Sequence, residues 1–335
     1  MRLIEHWGSS TPRIIGRVKV VGLRESEFIF VSIFTEIKPM ITLIIMPSIV
    51  PDKCRNFIST GSSSSMMKIK KKLFSVGDQI TNYLVYGGLP LILTTEAPED
   101  KAEYLNSLFQ KVYISDIIER HNVRNKAELD ELVDILASAI GSYTNQNKLS
   151  RTFKSVKGKP ISDKTIKNYI DYLIDSYLIS KAVRYDIKGK KYIGSPSKYY
   201  FEDVGLRNAR LGFRQVEQTH LMENIIYNEL RIRGYHVDVG MVEHYEVTSE
   251  GKRGKKQLEV DFVATRGSEK YYIQSAFALS TADKVKQEQR SLLSIPDSFR
   301  KIIVVGDNIK VRRDENGIIT VGLRNFLLDE NSLKL

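Results

Sequence analysis

Leu129, Leu132, Val133, Leu136, Ala137 and Ile140 are spaced as one face of an amphipathic helix, and Gly141 follows as its stop. A second helix is predicted over residues 147–155. After the turn Lys157-Gly158-Lys159-Pro160, Ser162 is placed to cap a third, whose buried side is Ile166, Ile170, Leu173 and Ile174. Residues 178–201 then alternate like a hairpin about Lys188-Gly189-Lys190. Helices followed by a basic hairpin are the element order of a winged helix-turn-helix.

Beyond residue 201 the periods mix. A helix is predicted over residues 219–233 and another over 282–293. Strands are expected at 236–242, 257–264, 270–277 and 301–305, with a turn at Thr265-Arg266-Gly267-Ser268 joining the second and third. Residues 28–34 and 41–50 are apolar and strand-like. They precede the serine run after Gly61 and the basic run Lys68-Ile69-Lys70-Lys71-Lys72, which reads as a linker. The chain is therefore expected to be α/β in three parts: 1–75, 76–200 and 201–335.

Charge sharpens the picture. The formal net charge is +11, from 51 Lys and Arg against 40 Asp and Glu. Residues 144–200 hold 13 Lys and Arg against 4 Asp, an excess of +9, which leaves only +2 for the rest. A localised basic region is the electrostatic footprint of a nucleic-acid contact; a generic solvated surface mixes the signs more evenly. The one cysteine, Cys54, excludes an intrachain disulfide and a cysteine metal cluster. No secretory leader is visible, and the most apolar run is far short of the roughly 20 residues a membrane span needs. The expectation is a cytoplasmic protein without a membrane partner.

Several strings occur together: Tyr83-Leu84-Val85-Tyr86-Gly87-Gly88-Leu89-Pro90, residues 113–120, Lys198-Tyr199-Tyr200-Phe201-Glu202-Asp203, Leu221-Met222-Glu223-Asn224, Glu259-Val260-Asp261-Phe262-Val263, Tyr272-Ile273-Gln274, and residues 290–297. Over residues 57–335 the chain resembles a set of prokaryotic AAA-type ATPases whose C-terminal half is a domain of unknown function. The resemblance implies a winged helix followed by a restriction-endonuclease-like α/β fold, with a degenerate or truncated ATPase-core remnant at the N-terminus. It also implies that Thr60, Gly61 and Ser62 would lie near the γ-phosphate in an intact relative, where ATP and Mg²⁺ are the cofactors.

The ATPase chemistry itself is missing. A phosphate-binding loop needs Gly-x-x-x-x-Gly-Lys-Ser/Thr, so that backbone amides, lysine and hydroxyl share the phosphates and Mg²⁺. Gly158-Lys159, Gly189-Lys190, Gly251-Lys252 and Gly254-Lys255 all fail it, and no apolar run ends in Asp-Glu. No nucleotide site is intact, and no cofactor of the chain's own is expected.

Restriction-type nucleases hold Mg²⁺ with an Asp on one strand and a Glu on the next, followed two residues later by a Lys. The corresponding candidates are Asp261 and Gln274, with Glu223 on the preceding helix as a third ligand. Glutamine offers a neutral oxygen, and Ala276 stands where the lysine would be. Glu223 alone reads as an ordinary helix-surface carboxylate, and Lys270 as a solvated turn residue. The candidate nucleic-acid contacts are Lys154 and Lys157 before the third helix, Lys164, Thr165, Lys167 and Asn168 on it, and Lys188, Lys190 and Lys191 at the hairpin turn. Arg151 joins Lys154 and Lys157 as a phosphate contact, and mostly lysines with few arginines favour backbone over base readout. The expectation is a catalytically impaired family member that binds DNA or a protein partner, with a metal-dependent nuclease as the alternative.

Overall fold

In the computed structural model the described residues are 79–158, 161–247 and 253–334, with three short strands nearer the N-terminus. Those strands, β1 (Val18–Gly22), β2 (Ile29–Ile33) and β3 (Leu43–Ile45), form an antiparallel sheet in the unit Met1–Met66. β2 and β3 fall inside the two apolar runs. The serine and lysine runs, including Thr60, Gly61 and Ser62, lie outside the described residues, as do the side chain of Lys157 and all of Lys159 and Pro160.

The second unit, Met67–Leu335, begins with helices α1 (Gln79–Tyr86), α2 (Pro98–Leu108) and α3 (Ser115–Arg120). Next come α4 (Lys126–Ser138), α5 (Gln146–Lys157) and α6 (Asp163–Asp175). Leu129, Leu132, Val133, Leu136 and Ala137 of α4 are buried together, as their spacing requires. Ser162 caps α6, its hydroxyl accepting from Thr165 N at 3.0 Å. Ile166, Ile170 and Leu173 form the buried side; Tyr169 joins them, and Ile174 is only half-buried.

The hairpin is β4 (Ile179–Asp186) and β5 (Lys191–Phe201). Helices α7 (Val204–Arg210) and α8 (Gln218–Ile232) follow. Strands β6 (His236–Val247), β7 (Arg253–Arg266) and β8 (Glu269–Ala276) come next, then α9 (Ala282–Leu293) and β9 (Arg300–Val305). Short strands β10 (Arg312–Arg313) and β11 (Ile319–Gly322) and helix α10 (Leu323–Leu328) complete the unit. One eight-stranded mixed sheet results, ordered β10-β11-β9-β8-β7-β6-β4-β5. The hairpin is thus its outer pair, with β4 parallel to β6. One sheet face packs on α9, where Leu292 meets Val260, Val263 and Tyr272. On the other, Tyr227 of α8 stacks on Tyr200 with ring centroids 4.3 Å apart.

Three of the recurring strings hold one joint together. Asp203 caps α7 through Gly205 N and Leu206 N and accepts from Gly88 N at 2.8 Å. A Cβ on Gly205 would lie 2.1 Å from Tyr86 O, so only glycine permits the approach of α1. Asn224 bonds both the N–H and the carbonyl of Phe201, at 2.8 and 2.7 Å, pinning the end of β5 to α8.

Strict alternation fails at one place in β7. Asp238 pairs with Val263 but Gly240 pairs with Val260, so Val239 faces both Asp261 and Phe262. This is a β-bulge, which orphans ladder donors and re-aims side chains.

Candidate functional site

The bulge lies against α8 and β5, and a buried polar cluster forms there. Glu223 of α8, read from sequence as a surface carboxylate, is buried because its helix packs on the sheet. Lys198 of β5, one of the residues in the basic excess, is buried too, with 5% of its side chain exposed. Its Nζ lies 2.8 Å from Glu223 Oε1 and 2.5 Å from Glu259 Oε1. Tyr200 donates to the same Glu223 oxygen at 2.6 Å. Four residues of β5, from Gly194 to Ser197, bulge away from β4 between its two paired stretches. Ser197 there exchanges backbone hydrogen bonds with Thr144. That bridge carries Tyr143 over the cluster, its ring centroid 5.5 Å from Lys198 Nζ. Gly141, at φ +70°, backs onto Glu223; a Cβ would stand 3.1 Å from Oε2.

Asp261 and Gln274 repair the bulge. Asp261 Oδ2 accepts from Ser275 N at 2.7 Å, and Gln274 Oε1 accepts from Asp261 N at 3.4 Å and from Ser291 Oγ at 3.4 Å. Orphaned backbone donors are thereby satisfied by side chains. The structure brings Glu223, Asp261 and Gln274 together, as the sequence reading grouped them. It adds Lys198, Glu259, Tyr200 and Tyr143, which that reading did not assign to the site. Lys270 does not reach in: its Nζ lies over the rings of Phe299, at 4.9 Å, and Tyr185.

The electrostatics follow from burial and like charge. Burial first, then Glu223 and Glu259, push the Asp261 carboxyl well above the usual range, while Lys198 and the Ser275 amide oppose the shift. Burial pulls the Lys198 ammonium down, but Glu223, Asp261 and Glu259 outweigh it and hold the group above the ordinary lysine range. Tyr200 is raised by burial and Glu223 and stays a donor. Among the described residues no group of three or more His, Cys, Asp or Glu is arranged to hold a metal. The donor set agrees: Lys198 already lies between the carboxylates, and the Gln274 oxygen is taken by an amide and a hydroxyl. These residues do not fit a divalent ion.

The exposed lysines form a different region. Lys154, Lys164 and Lys167 are exposed, Thr165 and Asn168 half-buried. The Thr165 hydroxyl is engaged 2.8 Å from Ser162 Oγ at the helix cap. Lys164 and Lys167 share a shallow groove of about 370 Å³ with Asn145, Asn147, Asp163 and Ser195. Lys188, Lys190 and Lys191 are exposed at the hairpin turn.

Residues 77–217 match the profile of a domain of unknown function, DUF8612, and residues 218–326 that of another, DUF4143. An uncharacterized protein of Haemophilus influenzae is 31% identical over 280 residues, covering 84% of this chain and 64% of that protein. An uncharacterized protein of Methanocaldococcus jannaschii is 31% identical over 232 residues, covering 69% and 48%. The chain thus spans less than two thirds of the length of either relative. The crystal structure of protein VC1899 from Vibrio cholerae aligns with 70% of this chain and 55% of its own at 13% identity, with a TM-score of 0.25. Among the described residues no helix is long and apolar enough to cross a membrane. By these matches the chain is similar to two successive domains of unknown function and to uncharacterized proteins of a bacterium and an archaeon.

Proposed function

We propose that the chain is a nucleic-acid-binding module of the AAA-type ATPase kind described above that does not hydrolyse ATP. In this reading α4–α6 and the β4–β5 hairpin act as a winged helix-turn-helix. The rest of the same sheet is a restriction-endonuclease-like scaffold whose former catalytic corner is now structural. The observation that carries the reading is the groove that Lys164 and Lys167 share with Asn145, Asn147, Asp163 and Ser195, two cations against one carboxylate. Exposed ammonium groups beside amide and hydroxyl donors suit a phosphate backbone, which is where most protein–DNA hydrogen bonds go. Lysine, a point charge, holds phosphate without fixing base identity.

The nuclease alternative is disfavoured by the buried cluster, since Asp261, Gln274 and Glu223 already have structural partners. ATP hydrolysis is disfavoured by the lack of a phosphate-binding loop in the sequence. Binding of labelled duplex DNA over a salt series tests the reading. The expected result is micromolar or tighter affinity that falls steeply with salt and drops at least tenfold in Lys164→Glu/Lys167→Glu. Failure of the chain to bind at low salt would turn the groove over to an acidic protein partner.

A further inference from the structure

The hairpin turn does not stand free as the tip of a mobile wing. Ile187 N donates to Met241 O at 3.0 Å, which continues the parallel β4–β6 pairing to the start of the turn. The Ile187 side chain is buried over Gly240, where a Cβ would meet its Cδ1 at 3.0 Å. The turn is therefore fixed beside β6, and its lysines have a fixed neighbour.

That neighbour is a two-stranded arm. β6 pairs with β4 only at 239–241, and β7 pairs with β8 only at 262–266. Farther out, 243–247 and 253–257 pair with each other alone. Val242 and Leu258 root the ribbon in the core, but beyond them Glu243, His244, Tyr245, Lys255 and Lys256 give it no apolar face to bury. A ribbon of this kind adds little to the core, and isolated two-stranded hairpins are marginal in water. It does present chemistry. Tyr245 is 59% exposed, and Lys188 Nζ of the turn lies 6.0 Å from its ring centroid. Lys256 is exposed, and Lys255 pairs with Glu243 while more than half exposed. Two acids nearby are engaged locally, Asp186 by Gly189 N at 2.9 Å and Glu243 by Lys255.

We propose that the β6–β7 arm and the β4–β5 turn form one continuous backbone contact for duplex DNA. Lys255 and the Tyr245 hydroxyl, which share one face of the ribbon, join Lys188, Lys190 and Lys191 on it; Lys256 points to the other face. The inference rests on the nucleic-acid reading of α6 and extends it. A duplex that reaches the turn lysines also meets the arm, because the turn is pinned to β6 at Met241, just before the arm begins, and Lys188 lies over the Tyr245 ring. Two-stranded ribbons fit against and into duplex grooves, and Lys and Tyr are ordinary phosphate donors.

Duplex binding by the full chain is measured across a salt series for four proteins: unaltered chain, Lys164→Glu/Lys167→Glu, Lys255→Gln and Glu243→Gln. Neutralising Lys255 is expected to weaken binding severalfold and to reduce the log–log salt slope by about 1, near one for each phosphate no longer neutralised. Glu243→Gln frees Lys255 and is expected to tighten binding, a gain that misfolding cannot produce. If the unaltered chain binds and loses binding with the α6 variant, but neither arm variant changes affinity or slope, the arm proposal is overturned and the α6 reading stands. No binding by the unaltered chain overturns both.

Discussion

Lys198 and Lys167 each have a carboxylate oxygen within 2.8 Å, and their surroundings make them different groups. Lys167 pairs with Asp171 on the outside of α6, both side chains about half exposed. Water screens that pair, so it is worth little and Lys167 is free to exchange its partner for a phosphate. Lys198 is walled in by Glu223, Glu259, Tyr200 and Tyr143, where removing one partner leaves the others charged and dry. Burial separates a structural lysine from one available to a ligand, even where both belong to the same basic stretch of sequence.

The largest expected effect breaks this comparison directly. Lys198→Met should cost about 3–5 kcal/mol of unfolding free energy, the range for orphaning a buried charge. Lys167→Met should stay within about 0.5 kcal/mol. Chemical denaturation of both, read by circular dichroism, tests the contrast, and equal losses would collapse it. A smaller effect is expected at Tyr200→Phe, which deprives Glu223 of a buried donor and should cost about 1–3 kcal/mol. A loss near zero would mean that Lys198 alone satisfies the carboxylate.

The pH dependence sharpens the comparison further. The folded Asp261 carboxyl titrates above its unfolded range, chiefly because it is buried. Between the two ranges the folded state holds more protons than the unfolded one, so this group makes stability fall as pH rises through that window. Asp261→Asn keeps an oxygen for Ser275 N and should flatten the fall. Denaturation midpoints from pH 4 upward check it, and an unchanged profile would remove the raised carboxyl from the account.

Legibility in the sequence divides along the same line. Residues whose surroundings are set by local spacing read well: the buried stripe of α4, the Ser162 cap, and the exposed Lys164 and Lys167. What failed depended on neighbours distant in sequence. Glu223 looks like a polar helix position until α8 packs on the sheet, and Lys198 looks like one more basic residue until β5 does. The bulge at Asp261 shows in the sequence only as the adjacent apolar pair Phe262-Val263, which any strand buried on both faces also carries, yet it decides that Asp261 and Gln274 serve backbone donors. The arm beyond Val242 falls between the predicted strands, which stop at 242 and resume at 257, because its mostly polar residues carry no apolar period. Several resemblance strings, Tyr83 to Pro90 and Lys198 to Asp203 among them, hold the joint between α1, α7 and β5. This explains why they are easy to notice and say little about chemistry.

The most direct test of the central claim, that the exposed lysines bind and the buried cluster supports, is anisotropy of labelled duplex DNA with the full chain over a salt series in Mg²⁺. The account predicts steeply salt-dependent binding, weakened at least tenfold in Lys164→Glu/Lys167→Glu, with the DNA recovered intact. Mg²⁺-dependent cleavage that disappears in Asp261→Ala would contradict it, as would binding indifferent to the α6 lysines.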